Sequence, residues 1–152
     1  MSDLGVSNLV IRAFAHVHGH LGWLSALALA HPAVMLRRPR RRVLTVAAIA
    51  TGLVSAVGAL GACLYPDYRQ IVKPALLSSA PLAGALFERK EHLGVVAVVL
   101  AWAGLALVAL AQGRVQDQPE VGRAAFVAYA GAAAAALGSA AAGLVVGVYR
   151  SF

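Results

Sequence analysis

FAHVHGHLGWLSALALAHPAVMLRRPRRR, residues 14–42, is the stretch on which the fold turns. From Phe14 to Leu36 it holds no Asp, Glu, Lys or Arg. At about 1.5 Å of helical rise per residue, that run crosses about 30 Å of hydrocarbon. It is closed by Arg37, Arg38, Arg40, Arg41 and Arg42 around Pro39. An apolar run ended by a basic cluster is the pattern of a membrane-crossing helix that stops at the cytoplasmic face, where Lys and Arg accumulate. The segment must be helical because lipid offers no partner to backbone N–H and C=O groups, and a helix pairs them all internally.

The same reading extends along the chain to apolar segments at residues 43–64, 92–111 and 124–148. The composition is 61% hydrophobic and 12% charged, and the mean hydropathy is +0.77. A soluble domain of this size lies far from those values. The expected fold is an all-α integral membrane protein, a single four-helix transmembrane bundle over residues 1–152 with no separate soluble domain. The N-terminus lacks the basic start and the cleavage site of a signal peptide, so the first helix is expected to be retained. Cys63 is the only cysteine, which excludes an intrachain disulfide, a thiolate cluster and covalent haem attachment through paired cysteines. The net charge of +7 reads as topology, not as affinity for nucleic acid. No Asp, Glu, Lys or Arg falls in the middle of a span, as an ion-coupled transporter would need. No nucleophile motif, phosphate-binding glycine loop or zinc-protease pattern is present.

The arginines put the first connection on the cytoplasmic side. Arg114 and Arg123 in the third connection agree by alternation. Both termini and residues 65–91, the longest connection, then face outward from a bacterial-type inner membrane. Tyr65 and Tyr68 sit where an interfacial aromatic belt is expected. The arginine cluster can also meet anionic lipid headgroups.

At about 100° per residue, His16, His20, Trp23, Leu27 and His31 fall within a stripe roughly 80° wide, while His18 lands nearly opposite. His18 is therefore expected at the outer water interface or bonded to a neighbour. In the third segment His92, Val96, Val99, Ala103, Ala106 and Leu110 share a face. The first and third segments run in the same direction, so their histidines meet at one depth. Gly52, Ser55, Gly58 and Gly61 in the second segment, and the alanines and glycines of the fourth, allow close helix approach.

Imidazole ligates iron, zinc, copper and nickel, and a porphyrin between helices takes one axial nitrogen from each side. His20 or His16, paired with His92, meets that need for haem b. Arg69, Lys73, Arg89 and Lys90, with the Tyr68 hydroxyl, are the expected propionate partners. The alternative is a zinc, copper or non-haem iron site that adds Asp67, Glu88 or Glu91 to the histidines. His31 lies about 16 Å deeper than His20 by helical rise. No histidine or methionine of another segment is at its level, so it caps backbone carbonyls or binds lipid phosphate, or meets a second haem across a homodimer.

Through HVHGHLGW at residues 16–23 and ERKEHLG at residues 88–94, and in its bundle layout, the arrangement loosely resembles the small four-helix membrane b-type cytochromes. The resemblance implies haem b held by histidines of two helices, and electron transfer between a quinone or quinol and a redox partner protein. It implies an electron carrier more than an independent enzyme. An accessory or assembly subunit of a respiratory complex is the other reading. The chain departs from the dihaem version in lacking a second matched histidine pair.

The orientation is testable in a Cys63→Ser background. Ser78→Cys is expected to react with an impermeant thiol reagent from outside intact cells, and Gln116→Cys is expected to stay unlabelled. The opposite pattern would invert the topology.

Overall fold

The computed structural model describes residues 3–37 and 42–149, with side chains described from residue 13. The rest of the basic run, Arg38, Arg40 and Arg41, lies outside the described residues. Every regular element among the described residues is helical: α1 (Asp3–Arg37), α2 (Val43–Asp67), a π-turn (Tyr68–Val72), α3 (Lys73–Ser79), α4 (Pro81–Leu110), a short 3-10 turn (Val115–Asp117) and α5 (Pro119–Val148). Four helical rods, α1, α2 continued through α3, α4 and α5, are long and apolar enough to cross a membrane. The all-α four-helix bundle expected from the hydropathy pattern is the observed architecture.

The connection at residues 65–91 differs from the expected loop. It is a helical hairpin. Helix α2 runs past Asp67 through the π-turn into α3, the chain reverses at Ala80, and α4 starts at Pro81. The rod from Val43 to Ser79 is about 55 Å long by helical rise, well beyond the thickness of hydrocarbon. The charges at Asp67, Arg69 and Lys73 and again at residues 88–91, with Pro66, Pro74 and Pro81 among them, read as loop, although residues 74–87 between them hold no charge. Proline chemistry punctuates it. Pro74 has no N–H to return to the preceding turn, and just before it the ladder widens, the Lys73 N–H reaching the Tyr68 carbonyl. Ala80 precedes Pro81 and is driven out of the helical region, to φ −147° and ψ 75°. Gln118 before Pro119 does the same, at φ −134° and ψ 74°. At the other end of α4, Gln112 takes φ 51°. Its N–H bonds the Ala109 carbonyl at 2.8 Å and that of Gly113 bonds Val108 at 3.0 Å, which closes the helix in a Schellman cap.

Around the bundle the order is α1, α2, α4, α5 and back to α1, each packing on the next. Neighbours are antiparallel. Helices α1 and α4 stand at opposite corners, as do α2 and α5. The main core is built of small side chains, among them Ala26, Ala47, Ala50, Ala97, Ala101, Ala125 and Ala132, with Leu29, Val54 and Val108. A smaller cluster, Tyr68, Val72, Leu76, Ala83, Phe87 and Val146, packs the hairpin.

One large side chain crosses the centre. Tyr129 of α5 is fully buried, and its ring lies against Gly104 of α4, where a Cβ would come within 2.8 Å of the ring carbons. Its hydroxyl reaches α2 diagonally opposite. There it donates to the Ala47 carbonyl at 3.2 Å and lies 2.9 Å from the Thr51 hydroxyl. Thr51 in turn is 3.3 Å from the Ala101 carbonyl of α4. Beside it, the Trp102 indole donates to Ser55 at 3.0 Å, and Ser55 donates to the Thr51 carbonyl at 2.8 Å. Nearer the hairpin, Ser139 donates to the Lys90 carbonyl at 2.9 Å.

Gly104→Ala is expected to lower stability by about 1–3 kcal/mol, the cost of overpacking a filled core. Tyr129→Phe should cost about 1 kcal/mol through the lost hydrogen bonds. Reversible unfolding of the detergent-solubilised protein measures both, and an unchanged Gly104→Ala midpoint would show that α4 and α5 do not need this approach.

Candidate functional site

The two ends of the bundle are chemically distinct. One carries Arg37, Arg42, Arg114 and Arg123. Measured from it along the helices, His16, His18, His20 and His92 lie at about 25 to 32 Å by helical rise. They share one level.

Helix α1 separates its histidines as its periodicity requires, and its neighbours decide which of them is covered. His16 and His20 are exposed, and so are Trp23, Leu27 and His31 further along the same stripe. That face looks away from α2 and α5. His18, expected at the water interface or bonded to a neighbour, is half-buried against α2. A Cβ at Gly61 would lie 3.0 Å from its Cε1 and 3.6 Å from its Nε2. Its Nδ1 is buried without a hydrogen-bond partner. Gly61 is therefore the position that admits the imidazole.

His92 is exposed near the middle of α4. Its Nδ1 lies 2.8 Å from the Glu88 carbonyl. A carbonyl only accepts, so Nδ1 is the donor, and in the neutral imidazole the lone pair is on Nε2. Ligating histidines are commonly oriented through such a bond. The stripe below it, Val96, Val99, Ala103, Ala106 and Leu110, is exposed along its length. Because α1 and α4 occupy opposite corners, the fold brings His16 and His20 to one outer face and His92 to another. Within one chain they share a level but not a site.

The charges near this end are largely engaged with the hairpin. Lys73 pairs with Glu88 at 2.6 Å, bridging α3 and α4. Tyr68 is buried and stacks on Phe87, with ring centroids 5.8 Å apart and planes 11° from parallel. The Lys90 ammonium lies 4.9 Å from the Phe87 centroid and 5.9 Å from that of Tyr68. Of the expected propionate partners, Arg69 and Arg89 are exposed, whereas Lys73, Lys90 and Tyr68 brace the hairpin. Asp67 is exposed and Glu91 half-buried. Among the described residues no three His, Cys, Asp or Glu side chains stand together as a metal-ion site.

Two features escaped the sequence reading. The Tyr129–Thr51 contact joins diagonal helices and leaves no local signal. The inward turn of His18 had one, Gly61 in the facing helix, but its partner could not be named without the packing.

Compared with known proteins, the chain matches no family model, no curated protein and no solved structure.

Carbethoxylation of the purified protein, mapped by mass spectrometry, is expected to modify His16, His20 and His92 first and His18 last. Equal rates at all four positions would contradict the burial of His18 against Gly61.

Proposed function

We propose that this chain is a multi-pass membrane protein that binds haem b at the histidine end of its bundle and acts in electron transfer. His92 would supply one imidazole to the haem iron, and an adjoining chain would supply the other. The observation that carries this reading is the state of His92: exposed, with Nδ1 tied to the Glu88 carbonyl and Nε2 left as a free donor atom. The face around it suits a flat apolar macrocycle, since Val96, Val99 and Ala103 are exposed and present no polar group.

In a second copy inserted the same way, His20 and His16 lie at the depth of His92. The uncovered α1 stripe of one copy can therefore meet the uncovered α4 stripe of another. The ligand pair His20 and His92 is then shared head to tail between chains, in a homo-oligomer or in a larger respiratory assembly. Arg69 and Arg89, both exposed at this end, are the free charges for propionates. A bare zinc, copper or iron ion asks for three or four ligands around one point, whereas the haem reading asks one imidazole of each chain.

The basic run at residues 37–42 favours a cytoplasmic arginine end. The histidine end and both termini then face outward, in a bacterial-type inner membrane. A quinone or a redox partner protein exchanges electrons there.

The test is the absorption spectrum of the detergent-purified protein. Two imidazoles on iron produce a low-spin b-type spectrum. His92→Ala is expected to abolish it or convert it to a high-spin form, and an unchanged Soret and α band in that variant would exclude His92. His20→Ala should act alike. Co-expression of His20→Ala with His92→Ala should restore low-spin haem, because one shared site keeps both ligands. Failure of that mixture alone would place both ligands in one chain.

A further inference from the structure

At the arginine end, the last turn of α1, the 3-10 turn and the first turns of α5 enclose an open pocket of about 420 Å³. Arg37, Arg123 and Gln116 supply its polar lining, and Leu36 and Phe126 form part of its apolar wall. The Arg37 guanidinium lies 5.1 Å from the centroid of the Phe126 ring, which fixes it at the boundary between the two. Arg123 reaches Glu120 at 3.2 Å across exposed surface, a contact worth little in water and open to exchange for a stronger anion. The surrounding charge is positive. Arg42 and Arg114 stand at this end against Asp117 and Glu120, and Arg38, Arg40 and Arg41 follow Arg37 in the chain.

We propose that this pocket binds the phosphate headgroup of an anionic phospholipid. Its phosphodiester oxygens sit between Arg37 and Arg123, with the Gln116 amide as a further donor, and an acyl chain runs along Leu36 and Phe126. Guanidinium is the side chain best matched to phosphate, through paired N–H donors in a planar fork. Two arginines lining one pocket with an apolar wall answer a molecule that is itself anionic at one end and apolar at the other. Free phosphate shares the headgroup chemistry but leaves the apolar wall unused. The proposal is independent of the histidine end and of any haem.

Native mass spectrometry of the whole protein, released from micelles containing equal phosphatidylglycerol and phosphatidylcholine, tests it. Wild type is expected to retain phosphatidylglycerol preferentially. Arg37→Gln and Arg123→Gln should each reduce that retention about tenfold, the loss of one charge-assisted hydrogen bond. Arg123→Gln carries the test if Arg37→Gln, which also vacates its seat on Phe126, fails to fold. Arg42→Gln, at the same end but outside the pocket, should leave the preference intact. Equal retention of the two lipids, or an equal loss in Arg42→Gln, would overturn the pocket. Displacement of the lipid by millimolar inorganic phosphate would show a site for the free anion and overturn the lipid assignment.

Discussion

Tyr129 is the strut of the bundle. Its side chain spans the centre from α5 to α2, and the hydroxyl at its tip meets Ala47, and Thr51 just beyond. A phenol buried away from water costs several kcal/mol unless it is bonded, so the network holds the two diagonal helices at one separation and one rotation. The ring fits only because Gly104 has no side chain. The alanines around it then close the remaining space, since lipid gives membrane helices no hydrophobic reason to associate and close packing has to serve.

With the rotation of each helix set by that core, the outward faces follow. Helix α1 turns His18 toward Gly61 and leaves His16, His20 and His31 uncovered; α4 leaves His92 uncovered. Polar side chains on an uncovered face of a membrane helix are costly where they meet lipid. Three of these imidazoles, His16, His20 and His92, stand away from the arginine end on exposed faces that a ligand or a second chain can reach.

The bundle is divided by charge along its axis. At the arginine end the connection between α4 and α5 is closed by the Schellman turn and by Pro119 at the start of α5. At the other end the helices overrun the apolar belt and close in a hairpin, held by the Tyr68–Phe87 stack, Lys90 over both rings and the Lys73–Glu88 pair. Side chains that look from composition like free cations are there the structural fastening of the hairpin.

The linear sequence determined what depends on local order. Apolar runs gave four membrane-length helices because an isolated backbone in lipid has no other solution. The 3.6-residue period separated His18 from His16 and His20, because that angle belongs to any α-helix. It also grouped His92 with Val96 and Val99. The helical hairpin at residues 65–91 was not legible, because prolines and charges at residues 66–74 and 81–91 mark a loop and a pair of helices broken at a turn alike. Only the tertiary structure decided which face of each helix is covered. Periodicity defines a stripe but not its direction, and the direction of the stripes on α1 and α4 depends on which helices occupy the neighbouring corners. That order puts α1 opposite α4, and residues distant in the chain, Tyr129 with Thr51 and Arg37 with Phe126, become neighbours only once the ring has closed.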